Sequence, residues 1–132
     1  KNSGFSKNIK VIKGDSNIVL KNIKKKFDLI FIDGSHSYKY VFNDIKNSIK
    51  ILNNNSYLVG DDYEIPYNKT KHLNYTKLIK ENIDCIYDYK NKMNMHPGVT
   101  LAVNKFFGSI PSHNGLFVKQ LKKKYTNIRE SI

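Results

Sequence analysis

Two apolar runs that each stop at a carboxylate constrain this chain more than anything else in it. The first, Phe27 to Ile32, is ended by Asp33 and Gly34; the second, Tyr57 to Val59, is ended by Gly60, Asp61 and Asp62. Between them Val41, Phe42, Ile45, Ile49 and Leu52 recur at helical spacing. Short runs rich in Ile, Leu, Val and Phe fit strands buried on both faces of a parallel sheet. A helical crossover makes such strands parallel neighbours with a right-handed connection. Ligands of open α/β sheets bind outside the carboxyl ends of the strands. The pattern therefore predicts an α/β domain in which Asp33, Asp61 and Asp62 meet on one rim. Three carboxylates brought together repel one another unless a cation or a basic group sits among them.

The flanking chain reads around that unit. Ile9 to Ile12 alternates with Lys10 and Lys13 and predicts a short strand, with Gly14 as its turn. Asp15 and Ser16 then cap a short helix whose apolar face is Ile18, Val19, Leu20 and Ile23. Lys24 to Lys26 complement the dipole at its end. Ser35 or Ser37 can cap the central helix, and Asn53 to Ser56 supplies the following turn. Glu64 to Met95 reads as an insertion over the rim, where a substrate lid is expected; within it Tyr75 to Glu81 is a short helix, Asp84 to Tyr89 has no clear pattern and Lys90 to Met95 is a loop. Val99 to Phe106 is a helix. Gly108 to Ile110 and Leu116 to Leu121 flank the turn-rich Pro111 to Gly115, which predicts an antiparallel hairpin at the end of the sheet. Residues 122–132 are a charged tail, and no internal repeat or second domain is visible.

A chain of 132 residues is one domain by length and can bury a core. It contains no apolar run long enough to cross a membrane and no apolar signal core. Cys85 has no partner for an internal disulfide, consistent with a reducing cytosol; a cytoplasmic location is the expectation. The net charge of +12 raises the question of polyanion binding. All but one of the 23 basic residues are Lys, whereas phosphate recognition usually enlists Arg as well. A solvated Lys surface is favoured over a nucleic-acid face.

At the central residues a resemblance emerges. FDLIFIDGSHSY, then a helix carrying Asp44, then YLVGDDY is similar to class I S-adenosylmethionine-dependent methyltransferases, closest to the group whose fourth strand ends in an IDGxHxY-type motif and whose fifth ends in DDY. Gly14 to Ser16 and HPGVTLAVNKFF at His96 to Phe107 extend the likeness over roughly Ile9 to Phe107. It implies a Rossmann-like methyltransferase sheet, mostly parallel, with a C-terminal antiparallel hairpin. The family's Gly-rich turn after the first strand and its acidic residue at the end of the second have no counterpart here. The chain is therefore expected to be the C-terminal part of such a domain, with the N-terminal strands missing. An edge along Phe27 to Ile32 or Ile9 to Ile12 would then be exposed, and self-association is expected.

The resemblance also implies a chemistry. S-adenosylmethionine carries its own electrophile, so the protein positions the acceptor and manages its proton. By resemblance Asp15 lies near the adenine with Ser16 beside it, and Asp33, Gly34 and His36 border the cofactor; the residues alone equally allow Asp15 to be a plain helix cap. Some related enzymes hold a divalent metal on carboxylates at these strand ends, which Asp33, Asp61 and Asp62 match. Mg²⁺ prefers such oxygen ligands and would acidify a bound hydroxyl. Alternatively, Asp61 or Asp62 caps the next loop and Asp33 holds a backbone turn. His36 is the candidate base, and Asp33, three residues before it, is grouped with it as catalytic. Tyr38 and Tyr63 are expected against substrate or sheet edge. His96 could reach the rim, His72 and His113 have no supporting neighbours, and Cys85 reads as buried packing. No CxxC or HxxxH spacing suggests structural zinc. The implied activity is O-methyl transfer to a hydroxyl of a small molecule or sugar. The alternative is a non-catalytic, methyltransferase-like remnant that binds a protein partner or nucleic acid through its basic surface.

Overall fold

The computed structural model describes residues 6–122; the tail expected at 122–132 lies, beyond its first residue, outside them. In chain order the elements are α1 (Ser16–Asn22), β1 (Phe27–Ile32), α2 (Tyr38–Ile51), β2 (Leu52–Gly60), α3 (Tyr75–Lys80), β3 (Ile86–Asp88), β4 (Met93–Met95), α4 (Pro97–Phe107) and β5 (Phe117–Leu121). β2 lies in the middle of a three-stranded sheet, parallel to β1 and antiparallel to β5. The strand–helix–strand unit read from the two apolar runs is thus present, in a sheet that is only partly parallel and smaller than a full Rossmann sheet.

α2 and α4 pack together and cover one face of this sheet. Val41 and Ile45 of α2, Val99, Ala102 and Val103 of α4, and Leu58, Phe117 and Leu121 of the strands form one buried cluster, with Phe42 and Ile49 packed at its margin. The apolar face expected of α2 is the face it buries. No element among the described residues covers the opposite face of the sheet. Leu29, Phe31, Tyr57 and Val118 are all more than a third exposed, Leu29 at 59% and Phe31 at 48%. β1 is therefore covered on one face only, not on both as its composition suggests, and it forms one edge of the sheet. That edge is where the expectation of self-association rests.

Several expected elements differ. Ile9 to Ile12 forms no strand; Ile9, Val11 and Ile12 are exposed, and no strand among the described residues pairs with them. Alternation supplies a face but not a partner. Asn53 to Ser56 is not a separate turn but an irregular first half of β2: the register passes from Phe27↔Leu52 to Leu29↔Tyr57, with Asn55 at φ 59°. The C-terminal hairpin expected from Gly108 to Leu121 shrinks to a single antiparallel bridge, His113↔Leu116. Gly108, at φ 70°, ends α4, and β5 pairs with β2 instead. The antiparallel hairpin lies earlier, where β3 meets β4 within 86–95.

That hairpin belongs to a packed layer. Ile65, Tyr75 and Met95 form a second small core, with Tyr67, Leu73, Ile86 and Leu101 against it, so the segment expected to act as a lid is seated on α4. Buried Asp88 holds its turn, accepting from the Asn91 side chain at 2.7 Å, the Lys90 N–H at 2.9 Å and His72 Nε2 at 3.1 Å. Burial pushes the Asp88 carboxyl up, but these hydrogen bonds outweigh it and hold it below the usual carboxylate value. His72 therefore has a neighbour that its sequence context does not reveal.

Gly60 closes β2 directly beneath Phe117, and a Cβ there would lie inside the ring's van der Waals envelope. Gly60→Ala is expected to cost about 1–3 kcal/mol through overpacking, read as a lower urea midpoint with unchanged slope. Adding Phe117→Leu should recover part of the loss relative to the sum of the single changes; strict additivity would show that the two positions do not press on each other.

Candidate active site

The rim is built by register. Ile32 pairs with Gly60, and the Asp61 N–H donates to the Ile32 carbonyl at 3.0 Å, so the chain leaves β1 and β2 at the same edge. Asp33 and Asp61–Asp62 share that edge, but the structure divides their side chains between two neighbouring places.

On one side lies a cleft of about 410 Å³ between β1, α1 and α2. Asp15, Ser16, Asp33 and Gly34 all border it, together with Phe31, Tyr40, Asp44 and Ser48; His36 does not. Asp15 is also the N-cap of α1, its Oδ1 accepting from the Asn17 N–H at 2.8 Å. The capping role and a place in the cleft coexist. From α2, Asp44 (6% exposed) and Ser48 (0%) reach the cleft floor, where Asp44 Oδ1 and Ser48 Oγ have no hydrogen-bond partner. Burial pushes the Asp44 carboxyl up; the Ser16 hydroxyl, bonded to it, pulls it back, and the charge of Asp15 raises it again.

On the other side is a cluster of histidines and carboxylates. His36 Nε2 lies 2.9 Å from Asp62 Oδ2, and its Nδ1 lies 3.1 Å from Asp84 Oδ1. His96 Nδ1 lies 2.7 Å from Glu64 Oε1 and 3.7 Å from Asp62 Oδ1, while the His96 backbone N–H donates to Glu64 Oε2 at 3.2 Å. The two imidazole rings are 4.3 Å apart. Local structure explains each placement. Asp62 adopts φ 60°, a conformation Asp tolerates better than most residues, and Asp61 Oδ1 accepts from the Asp62 N–H at 2.9 Å. Asp61 thus holds the turn that aims Asp62. Pro97 starts α4, and Gly98 lets that helix rest on the loop carrying His36: a Cβ on Gly98 would collide with the His36 carbonyl and the Tyr38 N–H.

Among the described residues, His36, Asp62 and His96 are the one group of three ligand-type side chains gathered within 4.8 Å. Of the expected metal set only Asp62 joins it. Asp33 borders the cleft, and Asp61 turns back on the backbone. Glu64, Asp84 and His96 are what sequence reasoning missed or underweighted. His96 before Pro97-Gly98 was the available signal; Glu64 and Asp84 carried none. Other expectations are corrected. Cys85 is exposed rather than buried. Tyr63 faces neither substrate nor edge but is fully buried, its hydroxyl donating to the Ile110 carbonyl at 3.0 Å. A second, open cleft of about 710 Å³ lies between Glu64 to Lys69 and Ser109 to Gly115 and shares Glu64 with the cluster.

The raised Asp44 carboxyl has a signed consequence. A carboxyl whose folded value exceeds its unfolded one favours folding only while protonated, and that contribution is lost as pH rises through the folded value. At neutral pH the buried charge is therefore a cost. Asp44→Asn should raise the urea midpoint of the unliganded protein near pH 7, and the gain should shrink as the pH approaches the ordinary Asp value of about 3.9. A gain that persists unchanged in acid would show that charge burial is not its cause.

Comparison with known proteins agrees with the rim rather than with the whole chain. Residues 1–63, from the N-terminus through the second strand end, match a family model described as "Methyltransferase domain". An uncharacterized protein of Acanthamoeba polyphaga mimivirus is 39% identical over 46 residues, covering 35% of this chain and 21% of that protein. The matched stretch thus spans about a fifth of that relative's length. No solved structure matches the chain. Among the described residues no helix is long and apolar enough to cross a membrane. The match likens residues 1–63, about half of the chain, to a methyltransferase domain.

Proposed function

We propose that the chain takes up S-adenosylmethionine in the cleft between β1, α1 and α2 and serves methyl transfer to a hydroxyl of a small molecule or sugar. The main support is the pair of buried, unpartnered acceptors, Asp44 Oδ1 and Ser48 Oγ. Each costs about 1–3 kcal/mol unless a ligand donates to it, and the amino and hydroxyl groups of a nucleoside are such donors. Leu20, Ile30, Phe31 and Tyr40 offer apolar wall to a base. Asp15, Asp33 and Asp44 border the same cleft, which suits a positively charged sulfonium in a chain otherwise carrying net charge +12.

Bound there, the cofactor supplies an activated methyl group. The chain's own task is to hold the acceptor oxygen and receive its proton. His36 stands at the junction: it follows the Asp33–Ser35 loop of the smaller cleft, and its cluster shares Glu64 with the larger one. With Asp84 on Nδ1, Nε2 is our candidate to take the hydroxyl proton, once the acceptor comes between it and Asp62, now 2.9 Å away. The larger cleft, bordered by Asn68, Ser109, Ser112 and Asn114, offers hydrogen-bonding side chains suited to a polyhydroxy acceptor. A cation held jointly by Asp33, Asp61 and Asp62 has no part in this reading, because the three carboxylates are not gathered.

Calorimetric titration with S-adenosylmethionine tests it. Micromolar binding is expected, weakened about ten- to a hundredfold by Asp44→Ala, as loss of a hydrogen bond to a charged group implies. His36→Ala should leave that affinity unchanged while lowering methyl transfer by about 10²–10⁴. A folded chain that takes up no S-adenosylmethionine refutes the assignment of the cleft. Salt-steep binding to a polyanion in its place would point to a non-catalytic remnant acting through its Lys-rich surface.

A further inference from the structure

We propose that His36, Asp62 and His96 form a site for one divalent first-row transition metal of the zinc class. Donor type is the first reason. Two imidazoles and one carboxylate suit zinc, iron or nickel, whereas Mg²⁺ and Ca²⁺ favour all-oxygen shells. Spacing is the second. Ligand atoms around a tetrahedral centre with bonds of about 2.0–2.1 Å stand roughly 3.4 Å apart. Here one ligand atom from each of the three residues lies within 4.8 Å of the other two, the two oxygens of Asp62 facing His36 Nε2 at 2.9 Å and His96 Nδ1 at 3.7 Å.

The surroundings add a third reason. Metal-ligating histidines nearly always have a carboxylate or carbonyl on the other ring nitrogen, which fixes the ring and raises its basicity. Asp84 takes that position on His36, leaving Nε2 toward Asp62. Glu64 grips His96 at its backbone N–H and at Nδ1, the same nitrogen that faces Asp62, so it joins as a fourth donor. Asp62, Glu64 and Asp84 place three carboxylates around two imidazoles, an excess of negative charge that a divalent cation offsets. The side chains of His36, Asp62 and His96 are 30%, 26% and 15% exposed, which leaves room for a water or a substrate oxygen at an open position.

His36 and Asp62 lie within the family match over 1–63, whereas His96, Glu64 and Asp84 lie beyond it, so the second half of the chain completes the site. Metal binding stands on the cluster alone. Its use rests on the methyl-transfer reading: with the ion bound, His36 becomes a ligand in place of the base, an acceptor hydroxyl at the open position would be acidified by the metal and lose its proton to solvent water, and its oxygen would take the methyl group as the sulfonium becomes a thioether.

The test is titration of the chelator-treated chain with Zn²⁺ by calorimetry and with Co²⁺ by visible absorption, in the absence of cofactor and acceptor. One equivalent is expected, with the intense bands of a four- or five-coordinate Co²⁺ centre and far weaker uptake of Mg²⁺. His96→Ala and Asp62→Asn should each lose at least tenfold in affinity. Glu64→Gln, the mildest change, should lose about ten- to a hundredfold with its circular dichroism intact. His72→Ala, which removes a histidine elsewhere, should lose nothing. A folded chain that binds no Zn²⁺, or binds it equally well as Glu64→Gln and His96→Ala, overturns the site. Binding of S-adenosylmethionine without Zn²⁺ would remove the metal and leave the methyl-transfer reading standing. Zn²⁺ binding without S-adenosylmethionine would confirm the site and remove its assigned use.

Discussion

Everything at the rim depends on a contact that tolerates no side chain. The first turn of α4 lies on the backbone of His36 to Tyr38, and Gly98 is the residue at the point of approach. Pro97 before it has no N–H to leave unpaired at a helix start and a backbone angle already suited to one. The pair sets the helix down against the loop, and His96, the residue before the helix, comes to lie beside His36 with the rings 4.3 Å apart. A wider crossing would separate the two imidazoles, and Asp62 would then face one histidine instead of two.

The two halves of the rim answer the problem of half-buried polar groups in opposite ways. In the histidine cluster each imidazole has a carboxylate on at least one nitrogen, and Asp61 spends its own side chain on shaping the turn of Asp62. In the cleft, Asp44 Oδ1 and Ser48 Oγ are buried on α2 without partners. A helix can carry such groups because α2 is well anchored elsewhere, through Val41 and Ile45 in the main core. Satisfied networks hold geometry, whereas an unpartnered buried acceptor is a cost that its helix must carry. The cluster is preorganised, and the cleft floor keeps two acceptors without donors.

The sequence was most legible where burial and period coincide. Phe27 to Ile32, the face of α2 and the short strand before Asp61 all follow from apolar residues whose spacing allows one kind of element. Reading failed where a partner had to be guessed. Ile9 to Ile12 alternates like a strand yet pairs with nothing described. The residues of β3 show no clear pattern and those of β4 look like loop, because the three-residue strands Ile86–Asp88 and Met93–Met95 are too short for a period to show. Their hairpin is held by Asp88, whose hydrogen bonds are invisible in a linear pattern. Cys85 shows the converse error: it reads as buried packing because no His and Asp arrangement marks it as a nucleophile, yet none of the described residues covers it.

What the sequence determined by itself was the strand–helix–strand unit and the presence of carboxylates where both strands end. These are local consequences of apolar runs broken by Asp and Gly, and they place Asp33, Asp61 and Asp62 on one edge whatever the rest of the chain does. Only the tertiary structure decided which of those carboxylates act together. Asp33 went to the cleft because α1 and α2 form its walls, Asp61 to its own turn, and Asp62 to histidines 26 residues before it and 34 after it in the chain. Side-chain company across such separations is set by how helices pack, and that information lies in Gly98 and the core beneath it rather than in any motif around the aspartates.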